Sequence, residues 1–149
     1  MADTTNSPAR TPWHLWTIGA VALLWNSVGA LDFAMTQLKS EAYLAAFTPE
    51  QREFLYKFPL WSVIGWGVGT WGGLIGSLLV LLRRSLAVTL FGASLAGIVV
   101  TNLYSYVLSD LMKVMNSGAG AMVFSAVIFV IGLLLFLYAR AMAKLEVLR

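Results

Sequence analysis

The sequence predicts an all-α membrane protein, a four-transmembrane-helix bundle formed by a single domain. Three observations lead to this prediction. Of the 149 residues, 59% are apolar, only 11% are charged, and the apolar residues are concentrated in four long runs. A soluble domain is closer to half apolar and a quarter charged. A run of about 20 apolar residues is long enough to cross the hydrocarbon core of a bilayer as a helix.

The four membrane segments are expected at about residues 16–36, 60–82, 86–108 and 119–139. A polar stretch, residues 1–12, precedes the transmembrane domain of residues 13–149, and we expect it to be mobile. The stretches SLLVLLRR and AVIFVIGLLLFLYAR are apolar on every side, whereas a membrane strand alternates, so helices are the better prediction. An alternative interpretation of the first segment is a cleaved signal peptide, with the small residues Val28–Ala30 at the cleavage site.

The distribution of basic residues predicts the orientation of the bundle. Arg83 and Arg84 fill the short link between the second and third segments. Cytoplasmic loops carry an excess of Lys and Arg, so this turn is expected in the cytoplasm, and four crossings then place both termini there too. The net charge of +3 comes from residues near segment ends. It indicates contact with a lipid bilayer and not with nucleic acid, which would require a basic stripe.

Several chemistries are excluded by composition. The chain has no cysteine and a single histidine, which excludes disulfides, thiolate metal sites and a two-histidine haem site within one chain. No lysine lies inside a predicted segment, so a retinal-type Schiff base has no candidate. No combination of nucleophile, base and acid is recognisable. We therefore expect a protein without enzymatic activity, metal or cofactor.

The longest connection, Gln37–Pro59, contains the signal for a short amphipathic helix. Thr48 is a good N-cap, Pro49 suits the first helical position, and Gln51 stands where a capping box requires it. These residues predict a helix from about Pro49 to Lys57. In one interpretation this helix is a lid that lies flat on the bilayer. In the other it is a gate or docking surface over a cavity formed by the four membrane helices. Its apolar side carries Phe54, Leu55 and Phe58. The preceding SEAYLAAF has helix-forming residues, which predict that the first helix continues past the membrane.

Small residues on the second and third segments predict close helix packing. Because the hydrophobic effect does not drive helices together in lipid, association depends on close backbone approach. The two segments are therefore expected to form a tight antiparallel hairpin. Alternatively, the glycine-rich face contacts a second copy or another membrane protein. The predicted packing residues are Gly65, Gly69, Gly72, Gly73, Gly76, Gly92 and Ala96.

Polar residues inside the segments are the candidates for function. A charged side chain at the centre of a membrane helix costs about 2.5–3.5 kcal/mol and normally faces the bundle interior. Asp32 and Asn26 are interhelical hydrogen-bonding groups in one interpretation. In the other they belong to an outward-facing pocket that binds a polyol or a cation. The candidate ligand-binding residues are Asn26, Asp32, Asn102, Tyr104 and Tyr106.

Two stretches, PWHLWTIGAVALLWNSVGALDFAMTQ and AYLAAFTPEQREF, resemble a family of small bacterial four-span inner-membrane proteins. Members of this family are often labelled "sugar transporter". The resemblance extends from Pro12 to Arg149, and WNSVGALDF and YLAAFTPEQ are its most specific parts. It implies a location in the inner membrane of a bacterium and a role in sugar transport, and it implies no particular binding residue.

Two functions remain open on the sequence. The first is transport of a small polar solute such as a sugar, by this chain itself or by a transporter of which it is a part. A single four-helix chain is short for a carrier built from two repeats, so transport favours a homo-oligomer or a larger membrane partner. The second is a non-catalytic accessory subunit that packs against a larger membrane complex. The position of the glycine-rich face separates them, because an accessory subunit would present that face to its partner.

Overall fold

The computed structural model describes residues 11–114 and 118–149, which form an all-α bundle; the predicted polar stretch lies outside these ranges except for its last two residues. Within the described ranges, four helices are long and apolar enough to cross a membrane. In chain order the helices are α1 (Trp13–Gln37), α2 (Glu41–Leu44), α3 (Pro49–Tyr56), α4 (Leu60–Leu81), α5 (Leu86–Leu103, continued by a π-helical turn at Tyr104–Leu108), α6 (Leu111–Val114) and α7 (Gly118–Lys144).

Two helix ends differ most from the expectation. Helix α7 continues to Lys144, beyond residue 139, because Ala, Arg, Met and Lys are strong helix formers even where hydropathy falls. Helix α1 ends at Gln37, so the predicted continuation through SEAYLAAF is wrong. Lys39 adopts a left-handed backbone with φ of 52°, and the Ser40 amide donates to the Met35 carbonyl at 3.0 Å. This bond ends the helix as a Schellman motif does, and only the single turn α2 follows.

The four long helices pack in sequence, α1 on α4, α4 on α5 and α5 on α7. Neighbouring helices run antiparallel, since Gly19 near the start of α1 lies against Leu81 at the end of α4, and Phe33 near the end of α1 packs on Trp66 near the start of α4. The first segment is thus one wall of the bundle, fitted to α4 along its length.

The α4–α5 pair forms the predicted tight hairpin. A methyl group added to Gly97 would meet the Gly65 carbonyl oxygen and would lie 2.6 Å from the Gly69 nitrogen, so the two backbones are nearly in contact. Gly92 faces α7 instead, where a Cβ added to it would lie 3.4 Å from the Phe136 ring. The α4 glycines of the predicted packing set are all buried within the bundle: Gly65, Gly69, Gly72, Gly73 and Gly76.

One predicted packing residue lies elsewhere. Ala96 is exposed, whereas its neighbour Gly97 is buried at the crossing with α4. Successive helical residues point about 100° apart, so adjacent small residues cannot both face the same partner. Ala96 is therefore corrected from a packing residue of the bundle to a residue of its surface.

The end of the bundle that carries the Arg83–Arg84 turn, here called the paired-arginine end, is closed by a buried apolar cluster. Residues 145–149 fold back onto the turn, with the Arg149 amide donating to the Arg83 carbonyl at 2.8 Å and the Ser85 amide donating to the Arg149 carbonyl at 3.0 Å. The His14 Nδ1 and Tyr138 hydroxyl atoms, 2.7 Å apart, join α1 to α7. The cluster contains Leu15, Val80, Ala87, Phe91, Ala139, Met142, Val147 and Leu148.

Candidate ligand cavity

A cavity of about 610 Å³ occupies the opposite end of the bundle, here called the loop end, where residues 38–59 join α1 to α4. All four long helices line it, and glycines form part of each of three walls, so backbone stands where larger side chains would fill the space. These glycines are Gly29 on α1, Gly69 and Gly73 on α4, and Gly132 on α7. The volume lies within the range of known small-molecule sites.

The short helix of the loop covers this cavity. Its predicted capping box is confirmed, since the Gln51 amide donates to Thr48 Oγ1 at 3.3 Å and the Thr48 amide donates to Gln51 Oε1 at 3.0 Å. Leu55 and Phe58 line the cavity, and the Phe58 ring packs against Tyr104 of α5, with ring centroids 4.9 Å apart. These contacts favour a cover over a cavity as the interpretation of α3.

Asp32 meets the loop at the cavity wall. The Tyr43 hydroxyl of α2 donates a hydrogen bond to Asp32 Oδ1, and both residues line the cavity. Burial raises the pKa of Tyr43 to about 12, and the hydrogen bond and negative charge of Asp32 act in the same direction. The turn at Lys39 makes this contact possible, because it folds α2 back over the end of α1.

Three hydroxyl groups on the α4 and α5 walls donate their protons to helix carbonyls. Thr70 donates to the Trp66 carbonyl at 3.0 Å, Ser94 donates to the Gly69 carbonyl at 2.5 Å, and Thr101 donates to the Gly97 carbonyl at 2.9 Å. A hydroxyl whose proton is engaged in this way still has acceptor lone pairs. The walls therefore offer acceptors to anything in the cavity.

Two of the predicted site residues line the cavity and also join helices. Asn26 Nδ2 donates to the Ala22 carbonyl at 2.8 Å and to Ser77 Oγ on α4 at 3.1 Å. The Tyr106 hydroxyl lies 2.6 Å from Ser125 Oγ of α7. Asn26 thus bonds to a neighbouring helix from a position on the cavity wall.

Asp32 and Asn102 line the same cavity, from α1 and α5, but Tyr104 does not belong to it. The Tyr104 ring packs against Phe58 and against Trp61, with ring centroids 5.6 Å apart in the second pair. Residues two apart on a helix point to nearly opposite sides, so Tyr104 and Tyr106 cannot both face the cavity. Tyr104 is corrected from a pocket residue to a packing partner of the loop.

Sequence reasoning missed several wall residues. Thr70 and Ser94 carried a usable signal, because each is a hydroxyl-bearing residue within a predominantly apolar segment. Tyr43 carried none, since its position depends on a left-handed turn at Lys39, a residue type that rarely adopts that backbone. Over residues 11–114 and 118–149, no group of three or more His, Cys, Asp or Glu side chains is arranged to hold a metal ion.

No family model, curated protein or solved structure matches the chain. The resemblance to small bacterial four-span proteins therefore stays a prediction.

Proposed function

We propose that this multi-pass membrane protein binds a small solute in the loop-end cavity and acts as a transporter of that solute, or as the solute-binding part of one. The observation that carries the proposal is the cavity itself, where Asp32, Asn102 and several hydroxyl groups interrupt apolar walls between four helices. Solute sites in proteins have this composition, with a few polar groups that orient the ligand in a mainly apolar pocket.

The proposal includes a location and an orientation. The resemblance to bacterial inner-membrane proteins supports a place in that membrane. The Arg83–Arg84 turn supports a cytoplasmic paired-arginine end, and the cavity would then face the opposite side. Sugars and other polyols are candidate solutes, since the acceptors on the walls suit a ligand rich in hydroxyl donors.

The alternative of an accessory subunit loses its main support. That proposal relied on the glycine-rich face as the surface for a larger partner. The face is buried against α5 and α1, where Gly69 lies against Ser94 and Gly73 lies against Asn26. Binding of a solute, without catalysis, therefore remains the better proposal.

Ligand-dependent thermal stabilisation tests this function. Purified protein in detergent would be screened with sugars, polyols and small amines. We expect at least one class to raise the melting temperature, and we expect Asp32→Asn to lose that shift. Asp110→Asn is the matched control, because Asp110 is at the same end of the bundle but is exposed and paired with Lys113.

A second variant guards against a folding defect in Asp32→Asn. Gly29 lines the cavity, and a Cβ there would be in ordinary contact, 3.7 Å from Thr70 Cγ2, so Gly29→Leu should fill the cavity without changing Asp32. It should also lose the ligand shift. A shift that persists in both variants, or no shift with any ligand class, would contradict the proposal.

A further inference from the structure

The cavity is open sideways. Trp25 and Val28 on α1 and Phe124 on α7 line it, yet their side chains are 38%, 69% and 57% exposed. They form the rim of a gap between α1 and α7, two helices that meet through His14 and Tyr138 at the paired-arginine end. Trp25 lies midway along α1, so the gap covers the half of the membrane nearest the loop end. In a bilayer this rim faces lipid acyl chains.

The route from the aqueous phase at the loop end is covered. Leu55 and Phe58 of the loop, together with Tyr43, contribute to the cavity lining from above. Phe58 is held in place by its packing against Tyr104 and against Trp66. A ligand that enters without moving this cover has to pass through the acyl chains, and it therefore needs an apolar body.

In the part of the chain that the structure describes, the lining of the cavity carries one formal charge, which is negative. Among the described lining residues, Asp32 is the single one with a formal charge, and no Lys, Arg or His accompanies it. A carboxylate accepts about four hydrogen bonds, and Tyr43 supplies one. Asp32 is partly buried within a membrane helix, where a carboxylate needs compensation, and a cation provides more of it than a neutral donor.

Three of the wall hydroxyls also suit a cation with N–H groups. The protons of the Thr70, Ser94 and Thr101 hydroxyls are committed to backbone carbonyls, so these groups can only accept from a ligand. Two tryptophan rings, those of Trp25 and Trp66, line the same space. Indole faces attract ammonium groups more than any other side-chain ring does.

From these observations we infer that the solute is an amphiphilic organic cation, with an ammonium group on an apolar body, which enters from the bilayer between α1 and α7. The inference rests on the proposed function and narrows its solute class. The ammonium group donates to Asp32, and the apolar body lies against the isoleucines of α7, Ile128 and Ile131.

Four probes test the inference by calorimetric binding to the full chain in lipid nanodiscs, after subtraction of their partition into empty nanodiscs. They are 4-phenylbutylammonium, the neutral 4-phenylbutan-1-ol, butylammonium and sorbitol. We expect 4-phenylbutylammonium to bind at least about tenfold more tightly than the alcohol, because only the ammonium group compensates the carboxylate. We also expect it to bind at least about tenfold more tightly than butylammonium, which has the charge without the aromatic body.

Variants assign that preference to Asp32. Asp32→Asn should reduce the preference for the ammonium over the alcohol to near one, while the alcohol still binds. Asp110→Asn should leave the preference unchanged. An ammonium preference that survives Asp32→Asn would overturn the role of the carboxylate.

The outcomes separate this inference from the proposed function. Binding of sorbitol without binding of 4-phenylbutylammonium would overturn the inference and leave a polyol-binding cavity. Equal binding of the two ammonium probes would overturn entry through the bilayer. Failure of all four probes would overturn both the inference and the proposed function.

Discussion

The two ends of this bundle use the same four helices in opposite ways. At the paired-arginine end, large side chains such as Phe91 and Met142 fill the space between the helices, and α1 meets α7 directly. At the loop end, glycines line the walls, α1 and α7 leave a gap, and a cavity of about 610 Å³ remains. The difference shows how a short chain can combine a closely packed base with an open site, because the choice of side chains along one helix decides where the bundle closes.

The α4–α5 hairpin connects the two ends. Its backbones approach each other most closely at Gly97, near the middle of the bundle, and Ser94 adds an interhelical hydrogen bond to the Gly69 carbonyl. Helices α1 and α7 pack on the α4 and α5 members of this hairpin, respectively. Their separation at the loop end is thus a separation of two outer helices on a common, closely packed support.

The largest expected difference between the ends is in the cost of removing a leucine. Leu15 is fully buried in the closed cluster, so Leu15→Ala should lower the free energy of unfolding by about 2–5 kcal/mol. Leu55 is half-buried over the cavity, so Leu55→Ala should lower the free energy of unfolding by less than about 1 kcal/mol. Denaturant unfolding in mixed micelles measures both. Equal losses would mean that the loop end is packed as tightly as the other.

The hairpin is tested by adding one methyl group at two glycines. Gly97→Ala should destabilise by about 1–3 kcal/mol or more, because the new Cβ would overlap the backbone of α4. Gly120→Ala on α7 is the control, since the new Cβ would have no atom of the described structure within 4 Å apart from its chain neighbours and the backbone of its own helix. It should stabilise by up to about 1 kcal/mol through helix propensity. The same unfolding assay applies, and a neutral Gly97→Ala would contradict the close crossing.

The capping box formed by Thr48 and Gln51 should contribute to the stability of α3, the helix that covers the cavity. Thr48→Ala removes the side-chain acceptor for the Gln51 amide and should destabilise α3 by about 1 kcal/mol. Amide hydrogen exchange in α3 should then be roughly fivefold faster, while exchange in α4 stays unchanged. Thr89→Ala, at an exposed site within α5, is the control and should leave α3 unaffected. Unchanged exchange in α3 after Thr48→Ala would show that tertiary contacts alone hold the cover.

The smallest effect is expected from the ionisation of Tyr43. Its pKa is raised from 10.0 to about 12, so the neutral phenol favours the folded state, and this contribution is complete below pH 10 and lost as the pH rises towards 12. The ultraviolet absorbance of tyrosinate should show a late-titrating residue that Tyr43→Phe removes. Tyr56→Phe, at an exposed tyrosine of α3, should keep it. If Tyr43→Phe instead removes a tyrosine that titrates near pH 10, the contact with Asp32 is contradicted.

Much of the closed architecture could be predicted from the sequence, because it depends on local patterns. Apolar runs locate the helices, Thr48 and Gln51 specify the start of α3, and the spacing of glycines on α4 indicates the hairpin. These signals act within one segment or between adjacent segments, where the period of the helix is enough to decide which residues face each other.

The site was less predictable, because it depends on contacts between distant segments. Asp32 could be identified as unusual, but its partner Tyr43 depends on the left-handed turn at Lys39. Tyr104 does not line the cavity, because residues two apart on a helix point to nearly opposite sides and Tyr106 lies on the cavity side. The gap between α1 and α7 has no sequence signature. It arises because these two outer helices pack on different members of the α4–α5 hairpin, α1 on α4 and α7 on α5.

The most direct test of the closed and open ends is a pair of spin-label distance measurements between α1 and α7. The chain has no cysteine, so two introduced cysteines are unique labelling sites. Exposed positions suit each end: Trp16 with Ala141 at the paired-arginine end, and Leu31 with Met122 at the loop end. We predict a longer mean distance for the second pair than for the first, because α1 and α7 meet at the paired-arginine end and leave a gap at the loop end. Equal mean distances at the two ends would contradict an open cavity between α1 and α7.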